Sequence, residues 1–184
     1  MSKKSVFTEN DFNSGDGMLT AVWGPALWHS LHTMSFNYPV NPSDDQKKQY
    51  YNFFKSLQHV LPCRYCRENY TKNLEILPLT QSTLKNRESF SRWLYEMHEI
   101  INTNLGKTSG LSYEDVRNIY EHFRSRCLAD PKLLKDKEKH SKSTKEKGCT
   151  EPLYGIKSKC ILNIVPKDTK VKSFKMDPKC KFKK

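Results

Sequence analysis

No stretch of this 184-residue chain is both long and wholly apolar. Met18–Ser43 carries no Asp, Glu, Lys or Arg and would be long enough to cross a bilayer. It also contains Pro25, His29, Ser30, His32, Asn37, Pro39 and Asn41, which are costly in hydrocarbon, so no transmembrane segment is expected. Cysteine is sparse at six residues, too few for a disulfide-stapled miniprotein. No period recurs, which excludes collagen, coiled-coil arrays and solenoid repeats. The opening residues lack an apolar core of the secretory kind and the Arg-rich pattern of a mitochondrial presequence, so neither signal is expected. Alternating apolar and polar residues are scarce too. Only Cys160–Val165 hints at a strand.

What is present is unevenly placed. Residues 1–130 carry a net charge of +1, whereas residues 131–184 hold 17 Lys, no Arg and six acids, a balance of +11. All three Trp lie in the first segment. A lysine-rich stretch with few large apolar residues buries too little surface to offset its ordering entropy. The expectation is a loose lead-in over residues 1–19, a folded domain over 20–130 and a flexible basic tail over 131–184.

Within the domain the apolar period is helical. Trp23, Leu27, Leu31 and Met34 follow an i, i+4 rhythm, with Trp28 and His32 on the adjoining face. A second helix starts near Ser43, a hydroxyl cap followed by Asp44 and Asp45, and carries Tyr50, Phe53, Phe54, Leu57 and Leu61. Pro62 ends it, and a third runs from Cys63 to about Leu74. Pro78 and the polar Thr80–Asn86 stretch form a connection. A fourth carries Phe90, Trp93, Leu94, Met97 and Ile101 before Gly106 and Gly110. The fifth opens on Ser112-x-x-Asp115, a capping-box pattern, and continues through Val116, Ile119, Tyr120 and Phe123. The predicted class is all-α: a four-helix bundle with a short fifth helix.

The chemistry begins at Pro62-Cys63-Arg64-Tyr65-Cys66. Two thiols three residues apart at a helix start can alternate between dithiol and disulfide, and the helix N-terminus favours a thiolate on the leading sulfur. Arg64 and Arg67 add positive charge, and a thiolate is the species that attacks a disulfide. Two other readings use the same residues. Half of a zinc site needs two more ligands, while Cys127, Cys149, Cys160 and Cys180 are isolated. A thioredoxin domain needs a βαβ context that this helical pattern does not supply.

The surrounding residues form an ordered set: Trp23-Gly24-x-x-x-Trp28-x-x-Leu31-His32, then Cys63-x-x-Cys66, then His98-x-x-Ile101-Asn102-x-x-Leu105-Gly106-Lys107. This set resembles the Erv/ALR family of FAD-linked sulfhydryl oxidases, over about residues 20–127. The resemblance implies a flavin cradled by the helical bundle, with no metal. It places Cys66 against the flavin ring, passing electrons to it as a thiolate, and Cys63 outward, exchanging with the incoming dithiol. Trp23, Gly24, Trp28 and His32 would contact the cofactor from the first helix, and His98, Asn102 and Leu105 from the fourth. Lys107 would neutralise the diphosphate, and Tyr120 would close the site. The implied reaction converts two protein thiols to a disulfide and delivers the electrons to O2, giving H2O2. The competing function class is a zinc-stabilised helical module that binds nucleic acid through its tail.

Three departures from the family pattern stand out. Its His-Asn dipeptide is His98-Glu99 here, with Glu99 expected to face solvent. A structural cysteine expected after the Leu-Gly-Lys segment falls near Ser112, which leaves Cys127 as a free thiol, bonded to a tail cysteine or bonded across a dimer. The tail also lacks a second Cys-x-x-Cys that could act as a shuttle. The resemblance further implies a homodimer formed through the first two helices. The partners it implies are a thiol-containing protein substrate or a thioredoxin-like relay protein. Lysine without arginine makes the tail a solvated segment first and a non-specific contact for an anionic partner second. Minimal forms of the family are typical of large DNA viruses, which implies host cytoplasm or virion; the mitochondrial intermembrane space is the alternative.

Overall fold

The structure is a computed structural model that describes residues 6–125, 149–150, 152–153, 156–172 and 174–181. The question of what Cys127 bonds to lies outside those residues. Six α-helices occur among them: α1 (Glu9–Phe12), α2 (Thr20–Phe36), α3 (Asp44–Val60), α4 (Arg64–Ile76), α5 (Arg87–Asn104) and α6 (Tyr113–Glu121). The all-α expectation is met, with α2 to α5 as the four long helices and α6 as the short fifth. The additional turn α1 lies in the expected lead-in, where Thr8 and Asp11 cap each other.

Local chemistry sets the helix starts. Ser43 with Gln46 and Ser112 with Asp115 form reciprocal capping boxes, satisfying backbone donors that the first turn leaves unpaired. Asn86 with Ser89 does the same for α5. Helix α4 begins with a sulfur as its cap: the Cys66 N–H donates to Cys63 Sγ at 3.3 Å. Gly106 and Gly110 follow α5 with φ of 64°, a left-handed conformation that L side chains rarely adopt.

Packing joins α2 to α5 and α6, α3 to α4, and α4 and α6 to α5. The core between them is aromatic, with Phe90 edge-on to Phe54 at 4.9 Å and Tyr38 at 4.8 Å from Phe90. Tyr38 is fully buried because its hydroxyl has a partner, donating to the Leu84 carbonyl at 2.9 Å. Phe54 is buried, whereas Phe53 is 42% exposed, because the inward stripe of α3 runs through Tyr50, Phe54 and Leu57. The polar connection before α5 still contributes to the core, since Leu79 and Leu84 turn inward. Cys160–Val165 forms no strand. All six residues are exposed, and without a buried face nothing favours pairing. The isolated bridge among the described residues joins Ser125 to Pro152.

Candidate functional site

Four positions on α2, Thr20, Gly24, Trp28 and His32, recur at i, i+4 and therefore share one face over about 18 Å of helix. The redox pair stands at one end. Thr20 Oγ1 lies 3.8 Å from Cys66 Sγ, and Cys66 packs against the core from the first turn of α4. An aromatic cluster occupies the other end. His32 Nε2 and His98 Nδ1 are 3.0 Å apart, and the Trp28 indole stacks on the His98 ring at 3.8 Å with 6° between planes. Tyr120 on α6 covers His32 at 5.3 Å, and its hydroxyl is 3.4 Å from His29 Nδ1. Trp28, His32, His98 and Tyr120, which the sequence places on three helices, therefore meet.

Burial fixes the charge states at this end. His32 is 4% exposed. Burial, with further opposition to a charge from the neighbouring imidazoles of His98 and His29, pushes its imidazole down to about 3. Burial also lowers His98, to about 4, against a small opposing effect of Glu99. Both rings are neutral at physiological pH. One His32 nitrogen is spent on His98, while the other, Nδ1, is buried with no hydrogen-bond partner. Burial also raises the Tyr120 hydroxyl, which stays protonated.

The thiols behave as a pair. The Cys63 thiol is held below its ordinary value chiefly by a hydrogen bond from Cys66, aided by the backbone at Cys66 and Tyr65 and by Thr20. Burial pushes the Cys66 thiol up, and sharing a proton with Cys63 adds to this; Thr20 and Arg67 act in the opposite direction. Of the two thiols, Cys63, the leading sulfur, is therefore the one that ionises first. Both cysteines are free. Arg64 is turned away, over the Tyr65 ring at 4.9 Å and 3.5 Å from Glu68.

The remaining expected residues lie on α2, on α5 and just beyond the end of α5. Trp23 Nε1 donates to the Met18 carbonyl at 3.0 Å. Gly24 is buried, yet an added Cβ would meet only the Thr20 methyl at an ordinary 3.6 Å, so packing within the chain does not demand glycine there. Asn102 Nδ2 donates to Glu99 Oε1 at 2.9 Å. Glu99 is half-buried rather than solvent-facing, since it holds that amide. Leu105 and Lys107 are exposed beyond the end of α5, where the Lys107 N–H donates to the Asn102 carbonyl at 2.8 Å.

Sequence reasoning missed several contributors. Thr20 was legible four residues before Gly24, on the same helical face. Asn73 on α4 is buried with an unpartnered Nδ2, while its Oδ1 accepts from Asn104 at 3.3 Å. Phe174 from the basic tail lies 5.4 Å from His29 and 6.1 Å from Phe123. No local pattern could have announced that contact. Cys149 is disulfide-bonded, whereas Cys160 and Cys180 are free.

A sequence profile of the Erv1 / Alr family matches residues 25–124. Among curated proteins, a probable FAD-linked sulfhydryl oxidase of Acanthamoeba polyphaga mimivirus is 40% identical over 85 residues, covering 46% of this chain and 59% of that protein. An FAD-linked sulfhydryl oxidase of Arabidopsis thaliana is 36% identical over 84 residues, covering 46% and 42%. A mitochondrial FAD-linked sulfhydryl oxidase of Saccharomyces cerevisiae is 33% identical over 85 residues, covering 46% and 43%. The chain thus spans about half the length of the curated relatives it matches. The yeast Erv1 core shares the fold, with a TM-score of 0.52 at 22% identity, over 65% of this chain and 94% of that one.

Proposed function

The chain belongs to the Erv1/Alr family, and on that premise we propose that it is an FAD-linked sulfhydryl oxidase that makes disulfides in thiol-containing proteins. The observation that carries the reading is the α2 face, which runs from the Cys63–Cys66 pair to the neutral His32–His98 pair. The residues fit a flavin. The buried His32 Nδ1 has no partner and would gain one from a polar cofactor edge. The rings of Trp28, His98 and Tyr120 offer planar faces to an aromatic system. The bound cofactor supplies acceptance of two electrons from the dithiol and their delivery to O2 as H2O2.

The chain's own residues perform the exchange. A substrate thiolate attacks Cys63 Sγ of the disulfide form; the Cys63–Cys66 bond breaks, and its electron pair leaves on Cys66. A second substrate thiolate then attacks the substrate sulfur and releases Cys63 as a thiolate. Two substrate thiols have become a disulfide, and Cys63 and Cys66 hold the two electrons. The low Cys63 thiol suits it as the leaving group of the second step. Trp23, Gly24, Trp28 and His32 on α2 and His98, Asn102 and Leu105 on α5 hold the cofactor in this reading. Lys107 would neutralise its anionic diphosphate, and Tyr120 would close the site from α6.

Exposed Val22 on α2 and Phe53 and Val60 on α3 support a homodimer through those helices. The lysine-rich tail supplies a salt-sensitive contact for an anionic partner. Host cytoplasm or virion is the location we propose, with the intermembrane space as the alternative; a viral and a mitochondrial relative are compatible with both. The zinc-dependent, nucleic-acid-binding alternative draws no support from the matched family or its relatives. Purified protein should be yellow, with a flavin spectrum that survives desalting. Cys66→Ser should abolish dithiol-driven O2 consumption while flavin stays bound, and Cys63→Ser should abolish it as well. Turnover at the parental rate by both variants would overturn the assignment of the pair.

A further inference from the structure

The segment before α2 is built onto the redox turn. The Met18 N–H donates to the Pro62 carbonyl at 2.8 Å, and the Met18 carbonyl accepts from Trp23 Nε1 at 3.0 Å. Gly17 sits so close that a Cβ there would come within 2.9 Å of the Pro62 carbonyl oxygen and 3.3 Å of Cys63 Cα. These contacts clip residues 17–23 across the turn from Leu61 to Cys63 and fix where α2 begins. At its first position stands Thr20, with its hydroxyl 3.8 Å from Cys66 Sγ.

From this geometry we propose that Thr20 is a further catalytic residue, whose hydroxyl donates to the Cys66 sulfur as that atom leaves the disulfide and takes up the electron pair. In the dithiol, Cys63 is the more acidic thiol and accepts a hydrogen bond from Cys66. When Cys63 is bonded to a substrate sulfur it no longer shares a proton with Cys66, and the thiolate must rest on Cys66. Burial opposes an anion there. The groups that favour it are the Thr20 hydroxyl, across from α2, and the Arg67 guanidinium on α4 itself. Arg67 Nη1 is committed to the Leu61 carbonyl at 2.6 Å, so Thr20 is the described side chain that reaches the sulfur from a second helix. No covalent bond is made by Thr20, and its proton stays on oxygen.

The role in turnover rests on the thiol-oxidase reading, but the contact can be tested without it. On the purified full chain, Cys63→Ser keeps a capping atom at position 63 and isolates Cys66. Alkylation of Cys66 by iodoacetamide is followed against pH, with the modified peptide quantified by mass spectrometry. In that background Thr20→Val, which matches threonine in shape but cannot donate, should raise the midpoint by about half a pH unit. That is roughly threefold less thiolate near neutrality. Thr20→Ser should restore the midpoint. Superimposable profiles with and without the Thr20→Val substitution, or failure of serine to restore a shifted one, would overturn the proposal. A chain that never holds flavin would instead sink the oxidase reading and leave the alkylation profiles readable.

Discussion

Acidification should destabilise this protein through the His32–His98 pair before its carboxylates are engaged. The two imidazoles are lowered from 6.5 to about 3 and about 4, each chiefly by burial. In the unfolded chain both take up protons below pH 6.5, whereas the folded protein holds them neutral down to pH 4 and below. The unfolded state therefore binds more protons in this window, and stability falls as pH falls. Each imidazole costs roughly 2 kcal/mol by pH 5, so the pair removes roughly 4 kcal/mol, a large share of a typical domain's 5–15 kcal/mol. His29, lowered by burial, adds to the same slope. Glu121, held down by its hydrogen bonds to Arg124, exerts its effect only at lower pH. Urea unfolding followed by far-UV circular dichroism should show the loss between pH 6.5 and 5. His32→Leu removes one of the two titrations, so its slope should be about half. A flat parental profile over that window, or an undiminished slope in His32→Leu, would refute the argument.

Two further outcomes test the surroundings of the site. Phe174 is 40% exposed, and losing its contacts with His29, Tyr120 and Phe123 in Phe174→Ala should cost about 1 kcal/mol. That corresponds to a Tm lower by about 3 °C; an unchanged melting curve would detach this part of the tail from the aromatic cluster. Phe53→Glu places a charge on the exposed apolar side of α3 without entering the core, and should convert a dimer to monomer in sedimentation velocity at unchanged helicity. A parental sedimentation coefficient would remove α3 from the interface.

The helices were legible because their periods and caps are local. Ser43 and Ser112 announce their helices in sequence and cap them in the structure. The Asn86 cap was missed, since its reciprocal partner is Ser89 rather than the usual Glu or Gln. Phe53 and Phe54 look equivalent in sequence, and only the direction from which α4 and α5 approach decides which is buried. Glu99 was expected in solvent because an acid following a buried histidine has no local reason to turn inward. Asn102, three residues on and one helical turn away, supplies the reason.

The site itself divides along the same line. The redox pair, both imidazoles and both tryptophans stand in motifs whose order is visible along the chain. What no motif conveyed is that one face of α2 touches both ends, with Thr20 against Cys66 and His32 against His98. A single helix, α2, thereby fixes the distance between the dithiol and the aromatic cluster. Its position depends in turn on Gly17 and Met18, which hold its first turn against Pro62. Burial keeps the imidazoles uncharged at one end of this face, and at the other the hydrogen bond between the two thiols makes Cys63 the more acidic of the pair. In the proposed exchange a substrate thiolate would attack Cys63 of the disulfide form, and the electron pair would be released on Cys66, which packs against the core.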